Sequence, residues 1–180
     1  IKKLETIKAT SVHTFDFSTL YTNLHLQLIE DALQQLIIKM FANSGKKYIL
    51  VNTFNKKAFW SVSPKNGYKV FTFDKLLASL HWILYNTFVR SGNNLFRQTK
   101  GIPMGGNCSP LIADLYLSWL EYKYVLDIMN KKNFTLAKSL SSNSRYIDDI
   151  ITPNTTNFQD IAASIYPKEL PLEMSTNNYL

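Results

Sequence analysis

Ser11–Phe17, with Asp16 set between apolar Phe15 and Phe17, reads as a short strand. Asn23 is placed to cap the helix that follows, whose apolar positions Ile29, Leu33, Leu36, Ile37, Met40 and Phe41 recur at helical spacing until Asn43-Ser44-Gly45 stops it. Residues 48–51 and 58–62 read as strands around Asn55-Lys56-Lys57, and a turn at Asn66-Gly67 pairs the latter with residues 68–71. A second helix is expected over 74–89, with Leu76, Leu77, Leu80, Ile83, Leu84 and Phe88 on one face, ended by Ser91-Gly92-Asn93-Asn94. Residues 95–99 read as one more strand. Ser109 followed by Pro110 is a matched helix start, and the helix to about residue 128 is apolar over a wide arc. Residues 138–144 are serine-rich and read as a loop. Strands flank Asp148-Asp149, a short helix covers 158–165, and Pro167 and Pro171 break regular structure beyond it. Hairpins interspersed with helices predict an α+β fold, an antiparallel sheet packed by helices on one face. With no repeat and no linker, residues 1–180 read as one domain carrying a small β-rich insertion at about 46–72.

Composition changes this picture little. At 46% apolar residues the chain can bury a sizeable core, and 13% aromatic content argues against disorder. A net charge of +7 suits a polyanionic partner, yet surplus surface lysine explains it as well. Cys108 is the one cysteine, so no internal disulfide forms, and neither it nor His13, His25 or His81 has a partner at metal-ligand spacing. An intracellular, reducing setting is expected, nuclear or cytoplasmic alike, with no membrane segment: the first residues are no signal peptide and no apolar run reaches spanning length.

The chemistry lies in three strings: His13-Thr14-Phe15-Asp16-Phe17-Ser18-Thr19-Leu20-Tyr21, then Gly101-Ile102-Pro103-Met104-Gly105-Gly106-Asn107-Cys108-Ser109-Pro110, then Arg145-Tyr146-Ile147-Asp148-Asp149-Ile150. Alone, Asp16 reads as a turn cap. Alone, the glycine-rich string is a tight strand-to-helix turn, and it lacks the Gly-Lys-Ser/Thr ending of a phosphate-binding P-loop. Two adjacent aspartates among apolar residues repel each other, which a divalent cation relieves; an exposed acidic hairpin turn is the equal alternative. Taken together the strings supply more. A two-metal centre needs cations about 3.5–4 Å apart bridged by shared carboxylates. One strand bearing Asp16 beside a hairpin bearing Asp148 and Asp149 provides that donor set, and phosphoryl transfer depends on such positioning and charge neutralisation.

In this order the strings resemble the palm motifs of reverse transcriptases. Phe15-Asp16-Phe17-Ser18-Thr19-Leu20-Tyr21-Thr22-Asn23, Gly101-Ile102-Pro103-Met104-Gly105 and Arg145-Tyr146-Ile147-Asp148-Asp149 look most like the enzymes of Penelope-like retroelements, relatives of telomerase, over residues 14–172. The resemblance implies a right-hand polymerase palm that acts as an RNA-directed DNA polymerase, a nucleotidyltransferase using Mg²⁺, with Mn²⁺ as the alternative. It implies Asp16, Asp148 and Asp149 as catalytic metal ligands, helped by the carbonyl of Phe17. It implies Tyr21 as the steric gate against a ribose 2′-hydroxyl. Gly101, Pro103, Met104, Gly105 and Gly106 would contact the nascent pair and template, and Tyr146 the primer end. Met104 stands where retroviral relatives carry glutamine. Arg97, Lys100 and Arg145 flank these motifs and are the candidates for the template–primer backbone. The implied partners are an RNA template, a DNA primer, deoxynucleoside triphosphates, and the fingers and thumb of the same polypeptide. With fifteen residues before Asp16 and an end at Leu180, those parts are expected to be largely missing here, and the 180 residues alone are expected not to extend a primer. The competing readings are a non-catalytic relic or nucleic-acid-binding scaffold, and another palm polymerase such as an RNA-dependent RNA polymerase, against which Tyr21 speaks.

Overall fold

The computed structural model describes residues 9–155 and 157–179. They divide into two compact units, one built from residues up to Leu24 and from Pro103 onward, the other from His25–Ile102. The β-rich stretch at 46–72 lies inside the second.

Strand β1 (Ser11–Phe17) alternates buried and half-buried positions, so Phe15 and Phe17 enter the core while Asp16 takes the opposite face. A single helical turn, α1 (Leu20–Asn23), comes next. Asn23 ends that turn instead of capping the next helix, and its side-chain amide donates to Thr19 Oγ1 at 2.7 Å. Helix α2 (Leu26–Ser44) starts at His25 with no side-chain cap and stops at Gly45, whose φ of 61° lets its N–H reach the carbonyls of Phe41 and Ala42.

Strands β2 (Tyr48–Asn52), β3 (Lys57–Ser61) and β4 (Lys69–Phe71) form a sheet in the order β3-β2-β4. The expected pairing across Asn66-Gly67 is therefore corrected: β4 pairs with β2, Leu50 opposite Val70. Leu50 is fully buried, and the most apolar strand takes the centre while β3 and β4 take the edges.

Helix α3 (Phe73–Tyr85) is capped by the Thr72 hydroxyl, which accepts from the Lys75 N–H at 3.3 Å. It ends earlier than its apolar face suggests. Phe88 and Val89 are strand formers, and Gly92 at φ 60° starts a two-residue turn, so β5 (Phe88–Ser91) and β6 (Asn94–Arg97) make a hairpin. The Ser91–Asn94 stretch, which reads as a helix stop, is a hairpin turn.

Helix α4 (Ser109–Asn130) has Cys108 at its cap position, so Ser109 is already inside and makes no cap bond. Helix α5 (Phe134–Leu140), for which the Asn133 side-chain oxygen accepts from the Leu136 N–H at 3.2 Å, runs into the first residues of the 138–144 stretch expected as a loop. Then come β7 (Ser144–Tyr146), β8 (Asp149–Pro153) and α6 (Phe158–Ile165). The last element, β9 (Leu172–Tyr179), is one that the hydrophobic pattern does not predict.

In the first unit β7, β8, β1 and β9 lie side by side in that order, every pair antiparallel. Phe15 packs against Phe158 of α6 with ring centroids 5.3 Å apart, and Phe17 meets Tyr166 edge-on at 4.9 Å. In the second unit Phe41 of α2 sits edge-on to Trp60 and Phe73, and Ile29, Leu33, Leu50, Leu80 and Leu84 are buried. No helix among the described residues is long and apolar enough to cross a membrane.

Candidate active site

Strand β1 is paired on both edges, and this makes Asp16 the middle of a row. Asp149 of β8 is its cross-strand partner on one side and Glu173 of β9 on the other. Residues directly opposite in antiparallel strands share a face, so three carboxylates stand side by side away from the core. Burial agrees: Asp149 is exposed while Ile150 is buried. Asp148 adjoins the row, its carbonyl accepting from the Phe17 N–H at 3.3 Å. Ser18 Oγ donates to Glu173 Oε1 at 3.1 Å.

The row has an electrostatic signature. Burial, and then the charges of Asp148, Asp149 and Glu173, hold the Asp16 carboxyl above its ordinary 3.8, against a hydrogen bond from the Phe17 backbone that lowers it. As the side chains stand, no three His, Cys, Asp or Glu among the described residues are gathered tightly enough to hold a metal ion. The backbone brings the aspartates to adjacent strand positions; their carboxylates do not converge on one point. Chemically the donor set is all oxygen, which suits Mg²⁺ or Mn²⁺.

Tyr146 pairs with Asp149 at the start of β8, so Ile147 and Asp148 form a two-residue turn between β7 and β8. Ile147 begins that turn at φ 55°. A β-branched residue there is a true outlier, in a place where glycine is usual. The residue before this stretch behaves differently from expectation. Arg145 does not face outward: its side chain is 7% exposed, tied to Asp114 Oδ1 at 2.8 Å and to Glu121 Oε1 at 2.5 Å. Its role as a template–primer contact is corrected, because the guanidinium donors are spent on α4 and on the turn.

Two aromatics flank the aspartates. Tyr21, half-buried on α1, has its phenol held above the ordinary 10.0 by burial and then by the charges of Asp148 and Tyr146. Tyr146 is 76% exposed. The Phe17 ring is buried, so only its backbone is available to the site.

In the glycine-rich string, Gly106 N–H closes a turn onto the Pro103 carbonyl at 3.2 Å, with Gly105 at φ 87°. A side chain on Gly106 would come within 2.7 Å of Ser109 Oγ and 3.0 Å of Pro103 Cγ. Gly105 is thus required by its backbone conformation and Gly106 by the space a side chain would need. Met104 projects outward at 76% exposure. Arg97, Lys100 and Gly101 belong to the second unit. Arg97 is exposed on β6, its Nε donating to the Tyr85 carbonyl at 2.9 Å; Lys100 is exposed as well.

Sequence reasoning missed two features. Glu173 is one, because Pro171 directly precedes β9 and masks the edge strand that begins at Leu172. The other is the stripe Asp114, Ser118 and Glu121 on α4. Their spacing puts them on one face of a helix that otherwise reads as apolar, and a carboxylate stripe beside a core calls for a buried cation.

No protein-family model and no curated protein matches the chain. Solved structures do. Telomerase from Candida albicans, in complex with a TWJ fragment of telomeric RNA, aligns over 97% of this chain and 29% of its own, with a TM-score of 0.54 and 14% identity. Apo telomerase from Candida tropicalis, truncated from its C-terminal domain, aligns over 99% of this chain and 32% of its own, with a TM-score of 0.52 and 15% identity. The chain therefore has a mixed α+β fold like that of these telomerase structures, and it spans about a third of their length.

Proposed function

We propose that this chain is the palm of an RNA-templated DNA polymerase, of the reverse-transcriptase kind to which telomerase belongs, and that it comes from a retroelement. The observation that carries the reading is the cross-strand placement of Asp16 against Asp149, with Asp148 beside them and Tyr21 electrostatically coupled to that aspartate. The telomerase-like fold supports it.

In this reading Asp16, Asp148 and Asp149, with the Phe17 carbonyl, hold two Mg²⁺ or Mn²⁺ ions. When bound, such ions lower the pKa of a primer 3′-hydroxyl and neutralise the departing pyrophosphate. The chain's own residues do the rest. Tyr21 excludes a ribose 2′-hydroxyl by bulk. Tyr146 meets the primer end, and the Pro103–Gly106 turn with Met104, preceded by Gly101, meets the nascent pair. Arg97 and Lys100 attract the template–primer backbone.

The test has two parts. Mn²⁺ titration of the chain should show binding that Asp16→Asn and Asp148→Asn weaken. In the polypeptide that includes the flanking coding sequence, oligo(dT) should be extended on poly(rA), and Asp148→Asn should abolish extension with an unchanged circular dichroism spectrum. Extension that survives Asp148→Asn overturns the reading.

A further inference from the structure

Arg145 has five N–H groups, and all are engaged. Nε and Nη2 grip Glu121 as a fork at 2.5 and 3.3 Å. Nη2 also donates to Ser118 Oγ at 2.8 Å and to the Asp114 carbonyl at 3.3 Å. Nη1 is divided between the Asp114 carboxylate at 2.8 Å and the carbonyl of Ile147 at 3.1 Å. Tyr166 completes the cluster, its hydroxyl donating to Glu121 Oε1 at 2.7 Å. Two carboxylates on α4 thus fix the plane of a guanidinium nine-tenths buried, and one N–H of that plane holds the residue with the disfavoured backbone.

The consequence runs through Ile147. An isoleucine at φ 55° stays there only where its surroundings over-determine it. The bond to its carbonyl is such a constraint, and the next two residues are Asp148 and Asp149. We infer that Arg145 is a positioning residue: by clamping the Ile147 carbonyl to α4 it fixes the direction in which the turn presents the Asp148 and Asp149 carboxylates. The consequence for metal binding rests on the reading proposed above; the clamp on the turn does not. Lysine cannot replace arginine here, because a three-donor ammonium cannot make the fork and reach the carbonyl in one plane.

Three variants test this: Arg145→Lys, the pair Arg145→Met with Glu121→Gln, and that pair with Ile147→Gly added. The paired change removes one carboxylate with the cation, and Asp114 and Glu121 are 46% and 30% exposed, so the fold is expected to survive. Circular dichroism checks it. Hydrogen exchange by mass spectrometry reads the 144–150 segment, and Mn²⁺ titration reads the site. The first two variants should speed exchange in that segment and weaken Mn²⁺ binding about tenfold or more, as loss of a partner that orients metal ligands typically does. Ile147→Gly should restore much of the affinity, because glycine adopts a positive φ freely. Unchanged exchange in the folded double variant overturns the inference. So does a loss of Mn²⁺ binding that Ile147→Gly leaves untouched, because the damage is then general. If Asp148→Asn leaves Mn²⁺ binding unaltered, the proposed function fails, and the exchange measurement alone decides the role of Arg145.

Discussion

Asp16 works against the fold at neutral pH. Burial and three carboxylate neighbours raise its pKa, so the native state holds its proton more tightly than the unfolded chain does. In the window from the ordinary 3.8 up to the raised value, the folded state binds more protons. Stability therefore falls as pH rises through that window, and the penalty is complete above it. Asp16→Asn should raise the melting temperature at neutral pH and change it little below about pH 3, where the unfolded carboxyl is protonated as well. A melting temperature lowered at neutral pH would show that Asp16 is stabilised by something other than its neighbours. Mn²⁺ should stabilise the parent chain more than the variant. At Tyr21, truncation opens space beside Asp148: in an extending polypeptide Tyr21→Ala should admit ribonucleotides more readily. Equal exclusion by parent and variant would leave Tyr21 as a packing residue.

Among the elements, the Pro103–Gly106 turn makes the sharpest demand on residue type. Gly105→Ala places a side chain at φ 87°, for a cost of about 1–2 kcal/mol, which urea unfolding would register as a lower midpoint. Local demands of this kind also govern how much of the fold is legible in the sequence. The Phe15-Asp16-Phe17 string and the paired aspartates among apolar residues announce β1 and the β7–β8 hairpin, because the local pattern and the tertiary role agree there. The end of helix α5 is hidden by the serine-rich run 138–144, which reads as loop. Strand β9 is hidden because an edge strand beside β1 needs no strong alternation of its own. Arg145 misleads since its position beside a motif says nothing of the three partners on α4, at positions 114, 118 and 121, that turn it inward.

For the molecule as a whole, charge and exposed apolar surface are the relevant quantities. If the +7 net charge serves a nucleic acid, affinity for a template–primer duplex should fall steeply between low and moderate salt. Arg97→Ala and Lys100→Ala should each flatten that dependence, measured by fluorescence anisotropy; an affinity indifferent to salt contradicts it. Trp82, Phe88, Leu95 and Phe96 are each more than half exposed, so the 180-residue chain should associate with rising concentration in sedimentation velocity.

The pairing of β1 on both edges also sets an order of events. Its partners β8 and β9 arrive late in synthesis; Ser18 and Glu173, joined across the row, are 155 residues apart. Contacts so distant in sequence close slowly, because loop entropy must be overcome before any pairing is rewarded. The unit from His25 to Ile102 closes shorter loops: its strands pair with near neighbours, and Tyr85 reaches back 58 residues to Gln27. On the ribosome, then, β1 waits with two open edges while the intervening unit folds, and Asp16 gains its cross-strand neighbour only when β7 and β8 emerge. Refolding followed by tryptophan fluorescence at Trp60 and Trp82 should run ahead of the signal from Trp119 in the first unit.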